Sequence, residues 1–425
     1  MSLPKLAVFG LVLLLVGCAQ ERSGPVYQEP APEAAVPEEV VEPVPTGPVK
    51  IALLLPLSGS AQAVGRDMLE AAQIALFDVG QTDMVLLPRD TGGTPAGAAA
   101  AARSAIDAGA ELIIGPLFAS ATTSVARIAA EHDIKVISFS NDASVAGDNV
   151  WVLGFRPEEQ VARVVDYARR QGFTRIGALA PDDAYGQRAV NGFREAMGVG
   201  AGLAGERVGG AGFGAASHSF YPPDERELAR VVREFTGPTG SNRFDAILIA
   251  DGGDRLRSVA ALLAFYDIDL RTTRPLGTML WEDDPRLLFE ETLQGGWYAS
   301  MAPDNERRFQ GRFRQAFGRD PVTLAGLAYD ATALAAVVAA TDRSFPTARL
   351  TDSSGFVGRA GIFRLRDDGT TQHGLAIVEI DNGTARVVDP APRSFLVAFL
   401  DRSPVARGSP VGDLVDRLGE NGGKP

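Results

Sequence analysis

Short apolar runs alternate with longer segments whose apolar positions recur every three or four residues, and the alternation continues through most of the chain. The runs at 51–55, 84–87, 112–114, 136–139, 176–179, 246–250 and 276–280 are bounded by turn-forming residues and read as strands buried on both faces. The stretches between them suit helices, so the pattern predicts parallel strands covered by helices on either side. Segment 157–171 carries its own start and stop signals. Pro157 suits the first turn, Glu158 and Glu159 lie at the positive end of the helix dipole, and Arg169 and Arg170 lie at the negative end. Val161, Val164, Val165 and Ala168 form one apolar stripe, and Gly172 can take the left-handed position that ends the helix. Leu228, Val231, Val232 and Phe235 repeat that spacing, and Phe309, Phe313 and Phe317 mark another core-facing stripe. Further on, a strand-like segment at 296–300 precedes an alanine-rich helix at 323–340. From 361 to 388 the pattern changes to strands and turns, with Asp367-Asp368-Gly369-Thr370 and Asp381-Asn382-Gly383-Thr384 as hairpin turns. The glycine-dense segment 198–214 reads as a loop, and no fixed-period repeat is evident.

Composition narrows the function classes. The chain has 425 residues, 45% hydrophobic and 22% charged, and 41 basic against 53 acidic side chains give a net charge of −12. That composition belongs to a folded chain, and its sign argues against nucleic acid as a partner, since phosphate contacts need a basic surface. One cysteine, Cys18, leaves no means for a disulfide framework or a cysteine metal site. Its position gives it another meaning. Lys5 precedes an apolar run from 6 to 16 that is too short to span a bilayer, and the run closes on Leu15-Val16-Gly17-Cys18. This resembles the bacterial lipobox, in which the cysteine is acylated and becomes the first mature residue. Residues 1–17 are therefore expected to be a signal peptide and Cys18 a lipid anchor to a membrane. Ala19, in place of Asp, favours the outer membrane by resemblance to Gram-negative sorting rules.

From 18 to 48 the composition shifts to proline, glutamate, alanine and valine, and six glutamates against Arg22 place −5 of the net charge there. Such a segment buries too little apolar surface to fold, and its prolines favour extended polyproline II. About thirty residues at ~3.1 Å each reach roughly 90 Å. The segment reads as a tether, either an inert spacer or one that carries a domain toward a partner.

Catalytic signatures are absent from the sequence. His132, His218 and His373 stand far apart, and there is no Gly-x-Ser-x-Gly elbow, His-Glu-x-x-His or phosphate-binding glycine loop. The cluster Glu282-Asp283-Asp284-Pro285 offers cation ligands or, more simply, a solvated loop that caps the next helix. A binding protein without cofactor or metal is expected, with a cell-wall hydrolase as a minor alternative.

Several stretches carry a family likeness. Lys50-Ile-Ala-Leu-Leu-Leu-Pro-Leu-Ser-Gly59, with the helix that begins near Gly65-Arg-Asp, resembles the opening of type I periplasmic binding proteins of the leucine-binding group. Ile113-Ile-Gly-Pro116, Lys135-Val-Ile-Ser138, Pro181-Asp-Asp-Ala-Tyr-Gly186 and the segment 358–369 resemble later strand ends and the closing hairpin of that group. Within it, 150–160 and 182–193 look most like the penicillin-binding protein activators. The resemblance implies an α/β fold of two Rossmann-like lobes with parallel sheets, joined by three crossovers near Gly154, Trp297 and Val357. Lobe 1 is expected at 49–154 plus 300–354, lobe 2 at 155–299 plus 355–390, and a tail at 391–425. Well-known activators carry an additional helical-repeat domain that this chain is expected to lack, so contacts made by that domain do not carry over.

In open parallel sheets, ligands bind beyond the carboxyl ends of the strands. That rule places Ser58, Ser60, Ala119, Ser120, Ser140, Asn141 and Asp142 at the cleft from lobe 1, and Tyr185, Asp251, Trp281 and Glu282 from lobe 2. Each residue also suits ordinary helix capping. Amino-acid binders of the group place a hydroxyl residue four after the glycine of Gly-Pro, where this chain has Ala119, and a threonine near the position of Asp142. An acid there repels a ligand carboxylate unless it pairs the ammonium. The expected function is a lipid-anchored module that activates a bifunctional penicillin-binding protein, a peptidoglycan synthase, by protein contact. The alternative is the substrate-binding receptor of an ABC importer for a branched-chain amino acid or another small polar ligand.

Overall fold

The computed structural model describes residues 47–80, 83–198, 217–237 and 243–395. The signal peptide, Cys18, nearly all of the tether, all but Gly198 of the loop at 198–214 and most of the tail lie outside the described residues.

Two sheets carry the fold. The first contains β1 (Val49–Leu55), β2 (Met84–Asp90), β3 (Leu112–Ile114), β4 (Lys135–Ser138) and β5 (Val150–Val152), all parallel, in the order β2-β1-β3-β4-β5. Helices α1 (Gln62–Val79), α2 (Pro95–Asp107) and α3 (Ala119–Ala130) connect these strands. The second sheet starts after α4 (Pro157–Arg170) with β6 (Ile176–Pro181), α5 (Ala184–Ala196), β7 (Ser217–Tyr221), α6 (Glu225–Thr236), β8 (Ala246–Ile249), α7 (Gly253–Phe265), β9 (Arg274–Gly277) and β10 (Trp297–Ser300). Its parallel part runs β7-β6-β8-β9-β10, the same 2-1-3-4-5 order as the first sheet. A repeat that the residues do not display is thus present in the topology.

After β10 the chain crosses back to the first sheet as α8 (Pro303–Phe317) and α9 (Ala325–Ala339). Phe309 and Phe313 bury against Ala71 and Ile74 of α1, and α9 is buried nearly all round, as a central helix must be. Following α10 (Thr347–Leu350), β11 (Phe356–Gly358), β12 (Gly361–Leu365) and β13 (Thr371–His373) form a small antiparallel sheet. It leans on β5, where Val152 N–H donates to Gly369 and Trp151 Nε1 donates to Arg366 O at 2.9 Å. Finally β14 (Ala376–Asp381) and β15 (Thr384–Asp389) join the second sheet antiparallel. The chain passes between the sheets three times; the second passage follows Ser300, since Trp297 still belongs to β10.

Local signals explain the elements. Helix α4 has Pro157 in its first turn, the four stripe residues at 0% exposure, and Gly172 at φ 94° behind it. The β14–β15 turn holds Asn382 and Gly383 at φ 47° and 83°, the two positive values that a tight hairpin needs. Two expectations shift. Residues 278–280 leave the strand, because the chain turns into a short 3-10 segment, Met279–Trp281. Strand β7, Ser-His-Ser-Phe-Tyr, goes unmarked by the apolar pattern because it lies at an edge and is only partly buried.

Candidate functional site

The loop that leaves β4 meets α5, the helix that follows β6. The contact that joins them is an ion pair: Arg188 Nη1 on α5 lies 3.3 Å from Asp142 Oδ2 in the loop after β4. Asp142 also accepts the Ser144 N–H at 3.0 Å and so caps the short turn Ala143–Val145. Burial works to raise its carboxyl, but the bonds from Ser144 and the charge of Arg188 outweigh it, and the group titrates below the ordinary range. The acid expected to face a ligand ammonium is satisfied by the opposite lobe.

Other lobe 1 candidates serve their own loops. Asp90 accepts the N–H groups of Leu57, Ser58 and Gly92, and the Ser58 hydroxyl is the chief cause of its lowered pKa. Ser140, 4% exposed, takes the Asp142 N–H on its hydroxyl and donates its own N–H to Ser138. Ser60 and Ser120 are exposed, Asn141 is half-buried, and Ala119 opens α3 without a hydroxyl to offer.

Lobe 2 brings two tyrosines into the same region. The Tyr185 hydroxyl donates to Thr278 Oγ1 at 2.8 Å, and burial raises its pKa. The Tyr221 hydroxyl donates to Asp251 Oδ2 at 2.8 Å. Burial lifts the Asp251 carboxyl above its ordinary value, against the Gly252 N–H that lowers it. The structure thus unites Asp142 with Arg188, Tyr185 with Thr278, and Asp251 with Tyr221. Arg188, Thr278 and Tyr221 escape sequence reasoning because their partners lie 30 or more residues away.

Trp281 and Glu282 stand apart from this group. Trp281 is 1% exposed, with its ring against Tyr298 and flat over Gly277, where a Cβ would come within 2.1 Å of the indole. Glu282 turns to the Ser300 hydroxyl, which donates to it. Its neighbour Asp284 caps the next turn and pairs with Arg286 at 2.7 Å, the capping alternative for the 282–285 cluster. Among the described residues no group of three or more His, Cys, Asp or Glu side chains converges as metal ligands do, and no helix is long and apolar enough to cross a membrane.

The periplasmic binding protein family matches residues 48–385 of this sequence. The chain belongs to that family. Its members are binding proteins rather than enzymes, and this periplasmic binding protein shares its α/β fold with several solved structures. A putative branched-chain amino acid ABC transporter protein from Rhodospirillum rubrum matches with TM-score 0.67 and 17% identity, over 80% of this chain and 100% of that one. The leucine-binding protein of Thermotoga maritima matches with TM-score 0.57 and 21% identity, over 81% and 98%. The C-domain of LpoA from Haemophilus influenzae, a regulator of PBP1A, matches with TM-score 0.59 and 15% identity, over 80% and 99%. Among curated sequences, an uncharacterized protein of Rickettsia prowazekii is 27% identical over 119 residues, 28% of this chain. The match spans about a third of that relative's length, 32%. Membership of this family indicates a periplasmic location.

Proposed function

We propose that this protein is a lipid-anchored, periplasm-facing module that activates a bifunctional penicillin-binding protein by protein contact. The observation that carries the reading is the Asp142–Arg188 pair. At the place where an amino-acid receptor holds its ligand's charged groups, this chain has Ala119 without a hydroxyl and an acid neutralised across the cleft at 3.3 Å. Such a cleft closes on itself without a solute. The likeness to the LpoA C-domain supports the partner class, and the lipobox at Cys18 with its acidic tether supports attachment at one end and reach at the other. In detergent or vesicles, the full-length lipoprotein is expected to bind a bifunctional penicillin-binding protein from the same organism and raise its glycan-strand or crosslink synthesis at least several-fold. Neither binding nor stimulation with any such synthase of that organism defeats the proposal.

The second reading, a solute receptor, rests on Asp251, a half-buried acid steadied by Tyr221 and suited to an ammonium group. Thermal shift with leucine, isoleucine and valine tests it. A ligand at 100 times its dissociation constant adds ~2.7 kcal/mol of stability.

A further inference from the structure

The small sheet ends on a free edge. Strand β11 pairs with β12 alone among the described residues, and Val357 stands opposite Ile362. The Gly374 N–H bonds Ile362 O, so Ile362 turns its backbone groups toward β13, and Val357 opposite it turns its own N–H and C=O away from β12. The Val357 side chain is 81% exposed. Folded proteins ordinarily blunt an edge strand with a charge, a proline or a covering element, and this one shows valine. The edge is held in place, since Asp330 on α9 accepts the N–H groups of Arg359 and Ala360 in the turn that follows.

Two arginines flank that edge on the same face. Along β12, positions 362, 364 and 366 alternate to the side that Val357 takes on β11. Arg364 Nε and Arg366 Nη2 share one neutral acceptor, Gln372 Oε1, at 2.9 and 3.1 Å. Arg364 also reaches toward β11, where its Nη1 donates to Ser353 O at 3.1 Å, and its guanidinium lies 4.7 Å from the centre of the Phe395 ring. Neither arginine is in an ion pair among the described residues. Burial and the charge of Arg366 lower the Arg364 pKa, and no carboxylate offsets them. The nearby acids serve their own turns: Asp352 accepts from Ser354 and Asp368 from Thr370, each through N–H and hydroxyl. Arg349 acts on Asp352, and Arg366 and Arg156 act on Asp368, through charge alone. Asp367 is exposed in the Asp368 turn, and Arg393, two residues before Phe395, is exposed and adds a further positive charge.

We propose that the β11 edge docks an extended acidic segment of a partner protein, added as an outer strand that pairs with Val357 and sets carboxylates against Arg364 and Arg366. An added strand gains main-chain bonds from the edge, and its alternate side chains supply specificity. The register states the pattern of that segment. Opposite Val357 comes an apolar residue, and two and four positions along, level with Arg364 and Arg366, come Asp or Glu. The incoming strand lies two strand spacings from β12, about 10 Å, which an arginine and a glutamate side chain span together. A carboxylate there receives both guanidinium groups where Gln372 offers one neutral oxygen, and such charge-assisted bonds are roughly twice as strong. The inference rests on neither functional reading, since no residue of the interlobe cleft takes part.

Photo-crosslinking of the full-length protein in the cells that produce it tests this, with p-benzoylphenylalanine in place of Val357. The expected adduct joins that position to a segment of another protein that carries the stated pattern, and the double variant Arg364→Gln, Arg366→Gln is expected to reduce the adduct several-fold. Should the double variant melt below wild type, Arg366→Gln alone decides, since that side chain is exposed. In vitro the probe is fluorescein-labelled Glu-Thr-Glu-Thr-Val-Thr-Glu-Thr-Glu, which offers the pattern in either strand direction. Its binding, read by anisotropy, is expected to weaken several-fold when glutamines replace the glutamates, and likewise when the valine nitrogen is methylated, which removes a main-chain bond to Val357. Adducts confined to this chain's own residues 396–425, to a second copy of the chain or to segments without carboxylates overturn the proposal. An adduct unchanged by the arginine variants overturns it too, as does equal binding of the glutamine or the methylated peptide. Absence of adducts or of peptide binding has the same consequence.

Discussion

Asp245 shows how strongly one partner can set a side chain's charge. It stands just before β8, takes the Arg175 Nε at 3.0 Å, and accepts the N–H groups of Thr174 and Arg175. The Arg175 bond is the largest cause that draws its carboxyl down to about 2 from an ordinary 3.8, against burial, which works to raise it. A folded value below the unfolded one stabilises the fold above about pH 4, and that stabilisation is lost as pH falls through about 2. Asp245→Asn is expected to lower stability at pH 7 by about 1 kcal/mol, since solvent screens a half-exposed pair, and to match wild type near pH 2. Urea midpoints at the two pH values check it; a gap that persists at pH 2 rules out the charge as its source. Individual site residues were less legible in the sequence than their positions. Ser58 and Ser140 stand at strand ends as the strand-end rule places them, yet their hydroxyls hold turns. Arg188 carried no signal, because nothing local to α5 announces a partner 46 residues earlier.

At the scale of elements, apolar periodicity was informative wherever both faces of a strand or one face of a helix are buried. The helices α4 and α6 and the double-faced strands of both sheets were readable for that reason. Partly buried β7 and three-residue β5 were not, since a short or edge strand needs no long apolar run. The small sheet β11–β13 depends on a contact that no periodicity reveals: buried Asp330 on α9 accepts the N–H groups of Arg359 and Ala360 at the β11–β12 turn. Arg359 then lies across α9 at Gly326, where a Cβ would come 1.7 Å from its Nε. Buried and paired with Glu306, that guanidinium has nowhere to move. Gly326→Ala is expected to cost roughly 3 kcal/mol or more in chemical denaturation, through overpacking and a broken buried pair. Gly311→Ala, at a helix position with nothing within 4 Å, is the control and is expected to be neutral or slightly stabilising. Equal effects from the two show that Arg359 repacks freely, and the rigidity assigned to this turn is then wrong.

For the whole molecule, the question is what holds the two lobes together across the cleft. Asp142 and Arg188 keep 28% and 21% of their side-chain surface exposed, so their pair supplies modest stability but fixes a distance between lobes. Arg188→Ala and Asp142→Ala are each expected to cost about 0.5–1 kcal/mol, and the double variant little more, a coupling that a double-mutant cycle measures. Small-angle scattering adds the geometric reading, with a larger radius of gyration expected in either single variant if the pair holds the cleft shut. The two functional readings part at this variant. A synthase contact made by a lobe surface keeps its stimulation in Arg188→Ala, and no branched-chain amino acid shifts the melting curve. If Arg188 instead covers a working receptor site, the same variant frees Asp142 to meet an ammonium group, and leucine or isoleucine then stabilises the variant but not the wild type. A ligand-induced shift confined to Arg188→Ala transfers the cleft to the receptor reading, because lobe closure without a solute is the property on which the docking reading stands.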